Sequence, residues 1–337
     1  MTEHKPHNVL VTGGASFIGS NLVRYLLATD PEVSIVNLDL LTYAGSLENL
    51  ENLPDPGRHA FVRGDICDRL LVDRILRERS IDTVINLAAE THVDRSIVAP
   101  AVFVQTNVMG TFTLLEAARA YWLSPPPSRS VRFHHVSTDE VFGALGPDDP
   151  RFTETAPYAP NSPYSATKAA SDHLVRAYHH TYGLPTITTN CSNNYGPYQH
   201  FEKFVPTIIK ACLLGKPIPV YGDGSNIRDW LYVKDHCRGI DVALRRGRQG
   251  ETYNIGGNNE WSNIEIAHLV CRLMNERYPQ GAPHERLISF VKDRPGHDWR
   301  YAIDTSRIQA ELGWRPEETF ETGIRKTIAW YLKRAKR

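Results

Sequence analysis

The chain has 337 residues, of which 41% are hydrophobic and 23% charged, an ordinary balance for a globular protein. Lysine plus arginine and aspartate plus glutamate both number 38, so no overall charge excess favours a nucleic acid or an anionic membrane as partner. A chain of this length can bury a large core, in one domain or in two linked ones.

The N-terminal sequence and the cysteines bear on where the protein works. MTEHKPHNVLVTGG passes directly from a polar stub into a strand-like run, without the apolar segment of a signal peptide. No run approaches the ~20 apolar residues of a membrane span. The cysteines, Cys67, Cys191, Cys212, Cys237 and Cys271, are scattered and form no CxxC pair. This pattern favours reduced thiols in a cytoplasmic protein over a disulfide framework or a metal site.

Short apolar runs alternate with helical patterns through the first half of the chain. NVLVTGG leads into a helix with Ile18, Leu22 and Leu26 on one face, and the later runs are SIVNLDL, HAFVRGD, DTVINLAA and VRFHHVST. A further helix is predicted over residues 101–122. Repeated strand–helix units predict an α/β fold, a Rossmann-type doubly wound parallel sheet with helices on both faces.

The organisation changes after Cys191, where glycine and proline become frequent and the apolar runs less regular. We predict one domain over residues 1–190 and a smaller, partly interleaved C-terminal domain over residues 191–337. Pieces near 229–257 are expected to return to the first domain, because they again have an α/β pattern. The final TFETGIRKTIAWYLKR predicts an amphipathic closing helix.

A glycine-rich turn lies between the first predicted strand and the first helix. Gly13, Gly14 and Gly19 there would let backbone N–H groups and the helix N-terminus approach a pyrophosphate. Asp39 ends the second strand, 20 residues after Gly19, where a carboxylate binds both ribose hydroxyls and repels a 2′-phosphate. The combination predicts that residues 1–190 bind NAD in preference to NADP, and that residues 191–337 bind the substrate.

Ser16 occupies a position of this turn where related fingerprints usually carry glycine. A Cβ atom there narrows the approach of the phosphate, and a left-handed backbone at a serine would cost roughly 1–2 kcal/mol. The serine hydroxyl could instead donate to a phosphate oxygen. We expect NAD binding to be somewhat weakened but not lost.

Tyr164 and Lys168 lie in NSPYSATKAASDHLVRAY, a helix predicted to begin near Pro163. Their spacing of four places both on one face, where the ammonium would lower the phenol pKa from ~10 towards neutrality. Such a tyrosine can remove a hydroxyl proton while hydride leaves the same carbon. A YxxxK pattern also occurs on ordinary helix surfaces, but behind a dinucleotide turn it indicates catalysis.

VRFHHVSTDEVFG places polar side chains at the end of a strand, where open α/β sheets bind their ligands. Ser137 or Thr138 can hydrogen-bond a reacting hydroxyl. Asp139 and Glu140 would point to opposite faces of a continuing strand, so both can face one pocket only if the strand ends at about Thr138. An isolated Asp-Glu pair usually forms a solvated turn, but the apolar strand before it and the Tyr-Lys helix favour an active-site role.

Motifs spread over nearly the whole chain resemble those of the dTDP-glucose 4,6-dehydratases, in the extended short-chain dehydrogenase/reductase family. They are LVTGGASFIGSNLV, NLDLLTYAGSLENL, GDICD, NLAAETHVDRS, STDEVFG, SPYSATKAASDHLV, TNCSNNYGPY, RDWLYVKDH, ETYNIGG and DRPGHDWRYAID. STDEV and CSNNYGPY are far more specific than the glycine turn. The resemblance implies a hydro-lyase that uses NAD internally to convert dTDP-glucose to a 4-keto-6-deoxy sugar.

The resemblance also implies an order of events. Tyr164 would take the C4 hydroxyl proton, with Thr138 holding that oxygen and NAD accepting the hydride. The C5 hydrogen then becomes acidic, because it lies beside a ketone. Glu140 would remove it, Asp139 would protonate the departing C6 hydroxyl, and hydride would return to C6. Burial and like charge can separate two carboxyl pKa values as this requires.

Further residues are implied as binding contacts, each with a purely structural role as the alternative. The implied NAD contacts are Gly13, Ser16, Phe17, Ile18, Gly19, Asp39, Thr42, Asp65, Ile66, Ala88, Ala89, Thr106, Tyr164 and Lys168. The implied sugar-nucleotide contacts are Thr91, Thr138, Asn193, Lys203, Arg228, Asn263, Arg294 and His297, with the basic ones meeting the diphosphate. Family members are usually homodimers packed through paired helices, here those after Pro100 and after Tyr164.

Two residues besides Ser16 depart from the family pattern. Phe142 replaces a usual tyrosine, which removes a hydroxyl but no proposed catalytic group. Phe201 stands where proline is common, in the expected substrate loop. The neighbouring His134 and His135 are better explained by strand packing than by catalysis.

Two other functions fit parts of the pattern. Nucleotide-sugar 4-epimerases and decarboxylases share Tyr164, Lys168 and the glycine turn but do not need both Asp139 and Glu140. A silent NAD-binding sensor would have lost part of this set. The carboxylate pair therefore favours dehydration, whereas thymine over uracil follows from the resemblance alone.

Overall fold

Among the described residues, 3–124, 129–293 and 296–335 of the computed structural model, seven strands form one parallel sheet. The strands of the chain are β1 (Asn8–Thr12), β2 (Ser34–Asp39), β3 (His59–Arg63), β4 (Thr83–Asn86), β5 (Arg132–Thr138), β6 (Thr186–Cys191), β7 (Asn193–Tyr195), β8 (Ile218–Tyr221), β9 (Ile227–Tyr232), β10 (Thr252–Ile255), β11 (Glu260–Ser262), β12 (Ile288–Val291) and β13 (Arg300–Tyr301). The large sheet has the order β10-β6-β5-β4-β1-β2-β3, with every neighbouring pair parallel. The predicted Rossmann-type sheet is confirmed.

Helices cover both faces of this sheet. The helices among the described residues are α1 (Phe17–Thr29), α2 (Arg69–Glu78), α3 (Val93–Val98), α4 (Pro100–Phe103), α5 (Thr111–Trp122), α6 (Pro163–Tyr182), α7 (Phe204–Leu214), α8 (Val233–Arg246), α9 (Asn263–Arg277), α10 (Ser306–Leu312) and α11 (Phe320–Ala335). Alternate residues of β1 face the two helical layers. Val9 and Val11 pack in the core with α1 and α8, whereas Leu10 packs in the core with α2 and α5. A strand buried on both faces must be apolar throughout.

The order of the strands reverses between β1 and β4. Strands β2 and β3 follow on one side of β1, and β4, β5 and β6 on the other. In open α/β sheets, ligands bind outside the carboxyl ends of the strands at this switch point. The glycine turn after β1 and the polar residues after β5 therefore belong to the same edge of the sheet.

The helix predicted over 101–122 is not a single α-helix. Between α4 and α5, residues Val104–Gly110 form a π-helical segment, so the predicted stretch is helical throughout but not α-helical over these residues. A pattern of apolar residues cannot reveal the extra residue per turn. Gly110 allows close packing here, since a Cβ atom on it would lie 2.3 Å from Cδ1 of Ile66. The Asn107 amide of the same segment bonds both the N–H and the carbonyl of Glu90, after β4.

A second core lies beyond β6. Strands β7, β11 and β13 pair with β9, and β8 pairs with β12. Helices α7, α9 and α11 pack around this core through residues such as Ile209, Val270 and Ile324. Within the predicted 229–257 piece, β9 belongs to this second core and β10 completes the large sheet. Helix α11 is the predicted closing helix, and no helix among the described residues has the length and apolarity needed to cross a bilayer.

Candidate active site

The turn after β1 is closely packed around its glycines. Gly13 has a φ of +71°, and a Cβ atom on it would lie 2.8 Å from Cα of Ala88. A Cβ atom on Gly19 would lie 2.2 Å from the backbone oxygen of Gly13. Only glycine fits at both positions without moving backbone, so α1 can begin directly at the edge of the sheet with its N–H groups towards the cleft.

Ser16 has an unstrained backbone. Its φ and ψ are −87° and −175°, the extended conformation usual for the residue that precedes a helix. The cost of roughly 1–2 kcal/mol that a left-handed serine would carry therefore does not arise. The hydroxyl donates to the backbone oxygen of Gly13 at 2.5 Å and so supports the turn. The sequence had suggested that this hydroxyl could donate to a phosphate oxygen, but in the structure it donates to Gly13.

Asp39 is fixed at the end of β2 by two backbone hydrogen bonds. Its Oδ2 accepts from the N–H of Ala15 at 2.9 Å, and its Oδ1 accepts from the N–H of Leu41 at 2.8 Å. Burial raises the pKa of Asp39, and the two hydrogen bonds oppose that rise. Each carboxylate oxygen keeps a second lone pair, so the group can also accept the two hydroxyls of a ribose.

The residues implied as NAD contacts lie together. One cleft at the switch point is lined by Gly13, Ser16, Phe17, Ile18, Asp39, Thr42, Asp65, Ile66, Ala88, Ala89 and Thr106. Gly19 lies beneath the lining and lets α1 pack on the turn. The same cleft also includes Leu38, Leu40, Tyr43, Ala44, Gly45, Gly64, Leu87 and Glu90, which sequence reasoning did not single out. Apart from Ala44 and Gly45, each adjoins a predicted contact at or after the end of a strand, and that position is the signal that could have found them.

A second chamber continues from this cleft and contains the predicted catalytic residues. Strand β5 ends at Thr138, and residues Asp139–Phe142 form a 3₁₀ turn, so the strict alternation of faces stops there. The strand end predicted at Thr138 is confirmed. Asp139 and Glu140 both line the chamber, with Thr138, Tyr164 and Lys168.

Helix α6 presents Tyr164 and Lys168 to this chamber. It begins at Pro163, as predicted, and the Ser162 hydroxyl accepts from the N–H of Ser165 at 3.1 Å. Both Tyr164 and Lys168 are buried, because α6 packs against β5 and β6. Cys191, the last residue of β6, and Ser192 and Asn194 just after it also line the chamber. They lie in the motif TNCSNNYGPY, but the sequence assigned them no role in the site.

Asp139 is set up to hold a proton. Its side chain is buried, and its Oδ2 atom has no hydrogen-bond partner among the described residues. Burial raises the pKa of Asp139 well above its usual range, and the negative charges of Glu140 and Asp229 add to that rise. A carboxyl group whose pKa is raised in this way is suited to hold the proton that a general acid gives.

The predicted effect of Lys168 on Tyr164 is not what the structure shows. The pKa of Tyr164 is raised well above its usual value, first by burial and then by the charge of Glu140. The Lys168 ammonium donates to the backbone oxygen of Val136 at 2.9 Å. The prediction that Lys168 lowers the phenol pKa towards neutrality is therefore wrong for the protein alone, because burial and the charge of Glu140 raise that pKa. The Thr138 side chain hydrogen-bonds Tyr164 and favours the phenolate.

An outer chamber brings together the residues implied as sugar-nucleotide contacts. Thr91, Asn193 and Lys203 line both the catalytic and the outer chambers, and Arg228, Asn263 and His297 line the outer one. Arg294 lies outside the described residues. Sequence reasoning missed the ring residues of this chamber, Tyr221, Trp230 and Tyr301. Trp230 could have been found, because it lies two residues from Arg228 on the same face of β9.

Arg228 is a buried cation at the floor of the outer chamber. Its guanidinium donates to the backbone oxygens of Asp298 at 2.9 Å and Trp299 at 3.2 Å, and it lies 4.3 Å from the ring centre of Tyr301. These contacts hold the planar group in one orientation. A fixed, water-excluded guanidinium is well suited to an anionic ligand such as a diphosphate.

The two remaining departures from the family pattern lie off the cleft. Phe142 is buried and packs against Phe152, with ring centres 5.2 Å apart, and against Tyr158 at 5.1 Å. Phe201 packs on Tyr331 at 5.4 Å. Neither phenylalanine is among the described residues that line the three chambers.

The sequence and the structure are similar to those of known proteins. The sequence model of the family described as GDP-mannose 4,6 dehydratase matches residues 10–327. The chain belongs to this family. The dTDP-glucose 4,6-dehydratase of Xanthomonas campestris pv. campestris (strain B100) is 58% identical over 327 residues, 96% of this chain and 92% of the relative. That of Neisseria meningitidis serogroup B (strain MC58) is 57% identical, over 96% of this chain and 93% of the relative.

Solved structures of the family agree. The dTDP-glucose 4,6-dehydratase of Streptomyces venezuelae with NAD and TYD bound is 46% identical, with a TM-score of 0.89 over 98% of both chains. A UDP-glucose 4-epimerase of Thermotoga maritima shares the fold at 27% identity and a TM-score of 0.86, over 97% of this chain and 99% of the epimerase. The resemblance to the dTDP-glucose 4,6-dehydratases within this dehydratase family is confirmed, and identity is far higher to them than to that epimerase.

Proposed function

We propose that this family member dehydrates dTDP-glucose to the 4-keto-6-deoxy sugar, with NAD as a cofactor regenerated in each cycle. The observation that carries the proposal is the buried carboxyl group of Asp139, whose pKa burial raises and which lines one chamber with Glu140. Dehydration needs an acid and a base in one chamber, whereas an epimerase does not. The names of the relatives that are 53–58% identical support the same substrate.

The cleft at the switch point fits NAD. The glycine turn leaves space that a Cβ atom would fill, and Asp39 is oriented for ribose hydroxyls and against a 2′-phosphate. When bound there, NAD supplies a positively charged ring that accepts hydride and, once reduced, gives it back. Tyr164 and Lys168 line the adjoining chamber, which places the reacting hydroxyl where the two chambers meet.

Tyr164 removes the proton of the C4 hydroxyl in the first step. Its raised pKa means that the phenol is neutral in the protein alone, so the phenolate needs positive charge close by. Lys168 provides such a charge on the same face of α6, and Thr138 holds the reacting oxygen. Loss of hydride from C4 and of the proton to Tyr164 leaves a ketone.

Glu140 and Asp139 then share the elimination. Glu140 takes the C5 proton, which the C4 ketone has made acidic, and Asp139 gives its proton to the C6 hydroxyl, which leaves as water. The C5–H and C6–O bonds break, and a C5=C6 double bond forms. Hydride returned to C6 and a proton returned to C5 complete the 4-keto-6-deoxy product, so no net oxidation occurs.

The outer chamber holds the nucleotide part of the substrate. Arg228 and Lys203 meet the diphosphate, and Asn263 and His297 face the nucleoside. Lys203 Nζ also donates to the backbone oxygen of Thr91 at 3.3 Å, beside the catalytic chamber. This contact places the diphosphate at the entrance to the sugar site.

The protein acts as a cytoplasmic homodimer in this proposal. Large apolar side chains stand exposed on α3, α4 and the π-helical segment, among them Val98, Val102, Val104 and Met109. A cluster of this kind is typical of an interface between protein surfaces. All five cysteines are unpaired, which fits a reducing compartment.

Incubation with dTDP-glucose and UDP-glucose in separate reactions, followed by NMR of the sugar products, tests this function. We expect a 4-keto-6-deoxy product from dTDP-glucose and slower conversion of UDP-glucose. The double variant Asp139→Asn/Glu140→Gln should stop dehydration while some C4 oxidation persists. This oxidation would be seen as the absorbance of NADH. A 4-epimer as product, or dehydration by the double variant at the parent rate, would contradict the proposal.

A further inference from the structure

A buried carboxylate follows Lys168 on the same face of α6. Asp172 follows Lys168 by one helical turn, and each side chain is about 95% buried, with 5% of its surface exposed. Asp172 Oδ2 accepts from the hydroxyls of Ser137 and Tyr158, both at 2.9 Å. Asp172 is not among the described residues that line the catalytic chamber. Its contacts therefore hold it in place without giving it a part in binding the sugar.

Lys168 needs such a neighbour. Its Nζ donates to the backbone oxygen of Val136, and burial lowers its pKa, because an ammonium is costly out of water. The negative charge of Asp172 is the largest influence that opposes this effect. Without a compensating charge, a fully buried lysine tends to lose its proton.

The other titratable groups around Lys168 do not take this role. His135 on β5 has its Nε2 3.2 Å from Asp172 Oδ1, outside good hydrogen-bond geometry, and burial together with the charge of Lys168 lowers its pKa. Burial raises the pKa of the Cys191 thiol on β6, which keeps it neutral. Burial raises the pKa of Asp139, which favours its neutral form, and the charges of Glu140 and Tyr164 change in the reaction itself. The packed π-helical segment contributes the amide of Asn107, which does not titrate.

We propose that Asp172 is a positioning residue, whose fixed carboxylate keeps Lys168 protonated beside the reacting phenol. This inference rests on the proposed function, since it assigns how the lysine of that site keeps its charge. It predicts that Asp172 acts on the pH dependence of turnover and not on binding of the sugar nucleotide.

The test is the pH profile of kcat/KM for dTDP-glucose, measured on NAD-saturated protein. Asp172→Asn keeps size and shape but removes the charge, so Lys168 should lose its proton at lower pH. We expect the alkaline limb of the profile to shift to lower pH by about 1 unit or more, because a nearby opposite charge usually changes a pKa by at least that amount. KM for dTDP-glucose at pH 7 should stay within about two-fold of the parent value.

Tyr158→Phe is the matched control. It removes a hydrogen bond to the same oxygen of Asp172 but no charge, so its alkaline limb should coincide with that of the parent. Asp172→Glu keeps the charge and should retain the limb even if kcat falls. If Asp172→Asn does not fold, the alkaline limb of Asp172→Glu tests the inference.

Three outcomes would overturn the inference: an unmoved limb in folded Asp172→Asn, a limb in Asp172→Glu displaced by about 1 pH unit, or equal displacement by Tyr158→Phe. A parent protein that does not convert dTDP-glucose would instead reject the proposed function. The parent assay is therefore done first, and the two failures are distinct.

Discussion

The guanidinium of Arg95 donates a hydrogen bond to the carboxylate of Glu202 at 3.0 Å and so joins the two sides of the cleft. Arg95 lies on α3, after the cofactor cleft, and Glu202 lies just before α7 in the second core. The same guanidinium lies 3.8 Å from the ring centre of Tyr43, in the loop after β2. Three segments thus meet at the rim of the proposed NAD site.

Arg95→Ala should weaken NAD binding slightly. Arg95 is 48% exposed, and an ion pair at such a site contributes about 0.2–1 kcal/mol, which corresponds to a Kd for NAD that is higher by about 1.4- to five-fold. Isothermal titration calorimetry of the protein freed of NAD measures this Kd. Arg77→Ala is the matched control, because this exposed arginine lies over Tyr121 on α2 and α5, away from the rim. Equal Kd values for the parent and Arg95→Ala would contradict a role of this contact in holding the cofactor.

Asp139→Asn should abolish dehydration without destabilising the fold. Loss of a general acid typically lowers kcat by about 10²–10⁴-fold. The pKa of Asp139 is raised on folding, so above the pKa of the unfolded chain the folded state loses stability as pH rises. An asparagine has no such penalty. We expect the Tm of the variant to equal or exceed that of the parent, with a difference that grows from pH 5 to pH 8, measured by calorimetry. A deficit that grows with pH would show that Asp139 is ionised.

Ser16→Gly should leave NAD affinity within about two-fold of the parent. The serine already has an extended backbone, so glycine relieves no strain, and its effect at this helix start is only a few tenths of a kcal/mol. Fluorescence titration with NAD measures the affinity. Ser16→Ala is the comparison, since it removes the hydrogen bond to Gly13 and should cost about 0.5–1.5 kcal/mol of stability. A Ser16→Gly protein that binds NAD ten-fold more tightly would restore the idea that the serine Cβ obstructs the phosphate.

The sequence was most informative where a side chain and its strand position are coupled. Val9, Leu10 and Val11 are apolar because β1 is buried on both faces, and Asp39 is acidic because it ends the neighbouring strand. The same reasoning predicted that β5 must end at Thr138 for Asp139 and Glu140 to share a pocket. The spacing of apolar residues and the position of a residue at a strand end follow from local geometry, and a single sequence contains that information.

What the sequence could not supply depends on the surroundings of a residue. The backbone angles of Ser16 are set by the start of α1, and the π-helical turn around Asn107 by packing on β4 and α6. The pKa of Tyr164 depends on the balance between burial and several charges, and only the folded chain fixes their distances. Trp230 and Tyr301 reach the outer chamber because the second core places β9 and β13 side by side.

The exposed apolar side chains of α3 and α4 lead to a prediction about assembly. Val98 is 85% exposed on α3, so Val98→Glu adds a charge without disturbing the core of one protomer. Burying an unpaired carboxylate in an interface is costly, and the variant should be monomeric at concentrations where the parent is dimeric. Sedimentation velocity measures this directly. Leu70→Glu is the matched control, because Leu70 is 83% exposed on α2, away from these helices. A Val98→Glu protein that sediments as the parent does would exclude this face as the dimer interface.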